Sequence, residues 1–187
     1  NYETGGITSF NHNGSATVEN CYAAGDYVSR NNNMGFISGY AYSGTRMIGN
    51  VALSGSLQGN NNLARICGRN NGDTTFTDNL SCSDVTVNGS TVSDGAANNL
   101  QGADRTAEEL RQQETYESIG WDFETVWVMD ENLSRPALRS CREAIPEEKP
   151  DQVSYQVESP NGELVATVYV DGEGQLGYTV SLNGTTV

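Results

Sequence analysis

Lysine occurs once in these 187 residues, at Lys149, and histidine once, at His12. Ten basic side chains stand against 24 acidic ones, for a net charge of −14. Nucleic-acid binding draws its affinity from basic side chains that displace counterions, so this balance argues against a nucleic-acid partner. It argues equally against adhesion to anionic lipid. No apolar run approaches the length of a membrane span. The single histidine removes further classes of chemistry. A zinc peptidase needs His-Glu-x-x-His, and a serine or cysteine nucleophile needs a base beside it. The four cysteines, Cys21, Cys67, Cys82 and Cys141, include no CxxC pair, so no metal set is expected. Their spacing does not demand a disulfide. Apolar content (36%) and charged content (18%) are both low for a globular enzyme.

What the chain has is glycine, asparagine and repetition. Three segments superimpose at a spacing of about thirty residues. The first is Gly5-Gly6-Ile7-Thr8-Ser9, then Gly14, then Asn20-Cys21-Tyr22-Ala23-Ala24-Gly25. The second is Gly35-Phe36-Ile37-Ser38-Gly39, then Gly44, then Asn50-Val51-Ala52-Leu53-Ser54-Gly55. The third is Ala64-Arg65-Ile66-Cys67-Gly68, then Gly72, then Asn79-Leu80-Ser81-Cys82-Ser83-Asp84. Ile7, Ile37 and Ile66 fall in one column; Asn20, Asn50 and Asn79 fall in another. Units this poor in apolar residues cannot bury a core alone, but stacked units can. The expectation is an all-β fold, a parallel β-solenoid of about three coils. Its isoleucines would stack inside at the inter-strand spacing of about 4.8 Å. Its asparagines would form a side-chain amide ladder, or each would cap its own turn. Cys21, Cys67 and Cys82 sit at repeat positions and read as small core fillers.

Residues 90–104 read as a loop. A helix is expected from Thr106, where Thr106 and Glu109 have the spacing of a capping box. Bulky short strands follow around Trp121 and Trp127, and these two side chains are expected in a core that closes the open end of the repeats. Residues 141–152, with Pro146, Glu147, Glu148, Lys149 and Pro150, have linker composition. Beyond them, Val153-Tyr155-Val157, Leu164 to Val170 and Leu176-Tyr178-Val180-Leu182 alternate as a three-stranded antiparallel meander. The expected divisions are 1–104 (repeats), 105–140 (capping helix and closing strands), 141–152 (linker) and 153–187 (the start of a truncated β-sandwich).

The repeats resemble the GLUG repeat of bacterial surface proteins, found beside immunoglobulin-A-cleaving metallopeptidases of streptococci. The resemblance rests on Gly6-Ile7, Gly14 and Asn20-Cys21-Tyr22-Ala23-Ala24-Gly25. The later copies depart from it, with Ala52 and Ser81 where Tyr22 stands. Thr106-Ala107-Glu108-Glu109-Leu110, Gly120-Trp121-Asp122-Phe123, Val126-Trp127 and Arg135-Pro136-Ala137-Leu138 resemble the ending that follows such repeats. The resemblance spans residues 5–139 and implies a right-handed β-solenoid used as a spacer or adhesion module. The tail, Ser159-Pro160-Asn161-Gly162-Glu163-Leu164 through Gly177-Tyr178-Thr179-Val180-Ser181, resembles the opening of the N-terminal β-sandwich of glycoside hydrolase family 97. That family cleaves α-linked sugars with calcium. None of its catalytic residues maps onto this chain.

The expected function is therefore a non-catalytic repeat module of a large secreted or surface-anchored bacterial protein, serving as spacer, adhesion or glycan-contact element. The alternative is the N-terminal accessory part of a secreted glycoside hydrolase acting on host or plant glycans. The acidic, lysine-poor composition suits secretion. Expected partners are neighbouring domains of the same polypeptide, a host or plant glycan, or a surface protein. Tyr40 and Tyr42 alternate onto one strand face and are the candidate glycan-contact residues; Tyr22 and Tyr27 are further candidates for such a platform. Packing at the corners of the repeat is the other role open to these rings. Asp73, Asp78 and Asp84 with Arg65 or Arg69 have the residue types of a calcium-dependent lyase, though solvated turn acids explain them as well. No cofactor is expected. Asp171-Gly172-Glu173-Gly174 offers two carboxylates as a candidate calcium site, and a hairpin turn explains it equally.

Overall fold

The computed structural model describes residues 3–11, 16–30, 32–144, 154–170 and 175–186. They form an all-β fold in which parallel and antiparallel pairings are both present. The chain divides into two compact units, Asn1–Arg139 and Ser140–Val187. The repeats and the segment expected to close them thus belong to one unit.

In the first unit, the strands between residues 4 and 58 pair in parallel with residues about thirty positions further on. Thr4–Gly5 pairs with Met34–Gly35, which bridges onward to Leu63. Thr8–Asn11, Ser38–Ala41 and Cys67–Asn70 form a second ladder. Thr17–Glu19, Arg46–Ile48 and Thr75–Thr77 form a third. Tyr22–Val28, Val51–Gln58, Leu80–Cys82 and Ala103–Arg105 form a fourth. Short strands follow from the sequence: runs of two to eight residues are broken by corners rich in Gly, Asn and Asp. At one corner Asn20, Gly49 and Asp78 take left-handed φ values of 51°, 60° and 52°. These residue types reach that region at least cost.

That corner corrects the expected register by one residue. Asn20 aligns with Gly49 and Asp78, not with Asn50 and Asn79, because Tyr22 pairs with Val51 and Val51 with Leu80. The shift arises between the second and third ladders: Asn11 pairs with Ala41, thirty residues on, but Thr17 pairs with Arg46, twenty-nine on, so the second repeat is one residue shorter there. A β-bulge then restores the longer spacing: Ala23 pairs with Ala52 but Ala24 with Ser54, which leaves Leu53 as an extra residue. A thirty-residue spacing holds at Thr8–Ser38 and again at Gly25–Gly55, and fails between them.

The isoleucine column is in register, since the Ile7 N–H donates to the Ile37 carbonyl and the Ile37 N–H to that of Ile66 (3.2 Å each). Ile37 and Ile66 are fully buried, but Ile7 is 47% exposed. The expectation of three interior isoleucines is corrected at Ile7. Ile7 belongs to the first layer, and no described layer lies on its far side. The middle layer is covered from both sides, so every residue from Asn33 to Gly39 is buried.

Residues 90–104 are not simply a loop. Ser90–Thr91 pairs antiparallel with Thr86–Val87. Ile66 and Cys67 then donate to the Leu100 carbonyl (2.9 and 3.2 Å), Asn79 donates to that of Ala97 (3.0 Å), and Ala103–Arg105 extends the fourth ladder. Arg65, with 0% of its side chain exposed, ties this segment down. Its Nε and Nη2 donate to the carbonyls of Gln101 (3.1 Å) and Gly102 (3.0 Å), Nη1 to that of Cys82 (3.4 Å), and Nη2 also meets Asp104 at 2.6 Å. Burying a guanidinium is tolerable only when its donors are occupied in this way.

The helix expected from Thr106 is also corrected. A 3₁₀ turn, Glu109–Arg111, and a short α-helix, Gln113–Glu117, are separated by Gln112 in extended conformation (φ −98°, ψ 131°). Trp127–Asp130 and Arg135–Leu138 form an antiparallel hairpin. Helix Arg139–Ala144 follows, so residues 141–144 are helical where a linker is expected. The rest of that linker, 145–152, lies outside the described residues.

The second unit contains four antiparallel strands, Ser154–Glu158, Leu164–Val170, Leu176–Leu182 and Thr185–Thr186, in sequential order. Tyr155, Val168 and Tyr178 share one row, and Val157, Ala166 and Val180 the next.

Candidate functional site

The strand pairing of the second ladder places Phe10, Tyr40 and Arg69 side by side across three layers. The Phe10 and Tyr40 ring centroids are 5.2 Å apart at 34°. Tyr42, just beyond strand Ser38–Ala41, stands edge-on to Tyr40 (6.0 Å, 83°) and at 6.5 Å from Phe10. The Arg69 guanidinium carbon lies 5.3 Å from the Tyr40 ring centroid. Phe10 is 39% exposed, Arg69 is exposed, and both tyrosines are half-buried. The result is an outward-facing cluster of three rings and one cation. Aromatic faces of this kind can pack on apolar sugar faces, and the tyrosine hydroxyls and the guanidinium can bind polar substituents.

Tyr40 and Tyr42 are brought together, but not as one flat shelf, because their rings are perpendicular. Phe10 was not nominated from the sequence, and Arg69 was named only as a candidate lyase base, not as a neighbour of Tyr40. Their signal was available, since the repeat spacing puts both in the column of Tyr40. Tyr22 and Tyr27 do not join the cluster. Tyr27 packs edge-on to Phe36 (5.1 Å), and Tyr22 lies against Trp121 (6.3 Å) and Trp127 (6.2 Å).

The asparagine column forms an amide ladder in two of its three members. Asn50 Nδ2 donates to Asn79 Oδ1 (3.0 Å) and to the Val18 carbonyl (2.9 Å), and Asn79 Nδ2 donates to that of Met47 (2.8 Å). Asn79 Oδ1 also accepts the Asn50 backbone N–H (3.0 Å), as Asn50 Oδ1 accepts that of Cys21 (3.3 Å). Asn20 is not part of this ladder, as the one-residue register shift requires. Its amide points instead at the Gly120 carbonyl (3.4 Å). Cys21 holds the ladder position in the first layer. Its thiol is raised above the ordinary value by burial and by Glu19.

The closing segment docks through aromatic rings. Trp121 is buried and its Nε1 donates to the Gly49 carbonyl at 2.7 Å. Its ring lies 4.3 Å from that of Trp127 and 5.0 Å from that of Tyr116. Trp127 is half-buried. Tyr116 donates its hydroxyl to the Leu110 carbonyl (2.7 Å), and burial pushes its hydroxyl pKa upward. Beside this cluster, Leu53, Leu110 and Leu133, with Ser54, Arg111 and Arg135, line a cleft of about 200 Å³.

Thr106 and Glu109 form the reciprocal capping box, with the Thr106 N–H on Glu109 Oε2 (2.7 Å) and the Glu109 N–H on Thr106 Oγ1 (3.2 Å). The Thr106 backbone contact, and then its hydroxyl, hold the Glu109 carboxyl below its ordinary value of 4.5. A depressed folded-state pKa contributes stability above the unfolded value and loses it as pH falls through the folded one. In thermal unfolding, wild type and Glu109→Gln should therefore differ most above the ordinary carboxylate value of 4.5 and converge as the pH falls below it. A difference that stays constant across this range would show that the carboxylate charge plays no part in the cap.

The acidic candidates do not assemble. Asp73, Asp78 and Asp84 are all exposed, and among the described residues no group of three His, Cys, Asp or Glu side chains could hold a metal ion. Arg65 is committed to the Asp104 contact and is unavailable as a base. His12 and the Asp171–Gly174 loop lie outside the described residues. No protein-family model matches this chain, and neither does a curated protein or a solved structure.

Proposed function

We propose that this chain is a non-catalytic repeat module of a secreted or surface-anchored bacterial protein, and that its first unit is a right-handed parallel β-solenoid of three coils related to the GLUG repeat. The carrying observation is the exposed cluster of Phe10, Tyr40, Tyr42 and Arg69, built by stacking one strand from each layer. Parallel ladders, with Ile37 and Ile66 buried and the Asn50 and Asn79 amides paired, make a stiff carrier for such a face. The module spaces neighbouring domains of its polypeptide and presents this face to a host or plant glycan. Single Tyr40→Ala and Tyr42→Ala variants should lose at least about tenfold in binding on a glycan array, as truncated aromatic anchors do. Glycan binding that survives both substitutions removes this face from the reading. Turnover of a glycan or peptide, abolished by changing a carboxylate of this chain, would overturn the non-catalytic reading altogether.

A second reading is an accessory part of a glycoside hydrolase, with residues 153–187 opening its β-sandwich. Its support is the alternation of the second unit, one face of which is apolar along all three long strands. Calcium-dependent stabilisation of the full chain, measured by thermal unfolding with and without chelator, would favour it.

A further inference from the structure

Among the described residues of the second unit, none is buried. One face carries Tyr155, Val157, Leu164, Val168, Leu176 and Tyr178 and bears no charge. On the other face Gln156, Thr167 and Thr179 are polar, and the Tyr169 ring already covers Gly177. A single sheet with one apolar face is half a core, and such a face is stable only against a second layer.

We propose that two copies of this chain pack these faces together as a two-fold dimer, sheet on sheet. The area is sufficient. Tyr155 and Tyr178, 71% and 77% exposed, together present about 300 Å². With its exposed aliphatic residues the face offers roughly 600 Å², so two faces bury about 1,200 Å², above the roughly 1,000 Å² that a specific interface needs. The chemistry is self-complementary, because no charge would be buried without a partner. In the first unit the apolar side chains of the ladders are largely gathered in that unit's own core, and the exposed ones, such as Ile7, Val28 and Leu133, are scattered over separate elements. In a solution of this chain, the matching apolar sheet face is that of another copy. The same face on both subunits closes the assembly at two.

Light scattering of the full chain at tens of micromolar should give twice its mass of 20.1 kDa. Tyr178→Asp and Leu176→Lys should each raise the dissociation constant at least about 100-fold, while Thr179→Asp on the opposite face should leave it unchanged. A monomeric wild type, an open-ended series of larger species, or equal dissociation by Thr179→Asp overturns the proposal. If the charged variants unfold the meander, hydrogen exchange of wild-type residues 176–182 at two concentrations decides. Protection that rises with concentration supports the dimer, and protection independent of concentration overturns it.

Discussion

Trp121→Ala should destabilise the first unit by about 3–5 kcal/mol, the range for truncating a buried tryptophan. The side chain is buried between Tyr116 and Trp127, and its indole N–H is bound to the Gly49 carbonyl of the middle layer. Truncation removes ring contacts and leaves the Gly49 carbonyl without that donor. Trp121→Phe keeps one ring in place but loses the indole donor and the volume of the second ring, so its cost should lie below that of Trp121→Ala. Trp127→Ala should cost less than Trp121→Ala, because Trp127 is half-buried. Urea unfolding followed by the remaining tryptophan measures all three. A neutral Trp121→Ala would mean that the closing segment does not hold the ladders together.

Gly55→Ala is expected to be the costliest single methyl that can be added to the fourth ladder. Gly25 and Gly55 are paired in adjacent layers, with φ of 118° and 115°, a region that side-chain-bearing residues rarely enter. That strain is common to both positions and should cost about 1–3 kcal/mol at each. Space is not common to both. A Cβ on Gly55 would lie 1.9 Å from the Gly25 carbonyl oxygen, whereas a Cβ on Gly25 would meet nothing within 4 Å. Backbone must move to admit the first, so Gly55→Ala should exceed Gly25→Ala by at least about 1–3 kcal/mol. The difference between two chemically identical substitutions thus reads the close approach of the layers. Equal costs in chemical denaturation would show that the layers are not stacked as described.

The candidate surface illustrates how far residue patterns reach. Tyr40 and Tyr42 could be named from alternation alone, because period two places them on one strand face. Phe10 and Arg69 become their neighbours only through parallel pairing with residues about thirty positions away. The perpendicular set of the Tyr42 ring has no counterpart in the spacing at all. It follows from the strand ending at Ala41.

The residue pattern by itself determined that this chain makes short strands, that Ile37 and Ile66 share a column, and that residues 153–187 alternate with period two. These are consequences of local chemistry: corner residues tolerate left-handed φ, and β-branched residues suit pleated surfaces. Tertiary structure alone decided the rest. The second repeat is one residue shorter between Ala41 and Arg46 than the first between Asn11 and Thr17, so Cys21, not Asn20, meets Asn50, and the bulge at Leu53 restores the spacing afterwards. Residues 96–105 become ordered because their backbone pairs with the third layer and their carbonyls receive the Arg65 guanidinium. Bulges and backbone hydrogen bonds carry no side-chain signature. Their partners lie many residues away, and only the stacked layers determine which groups meet.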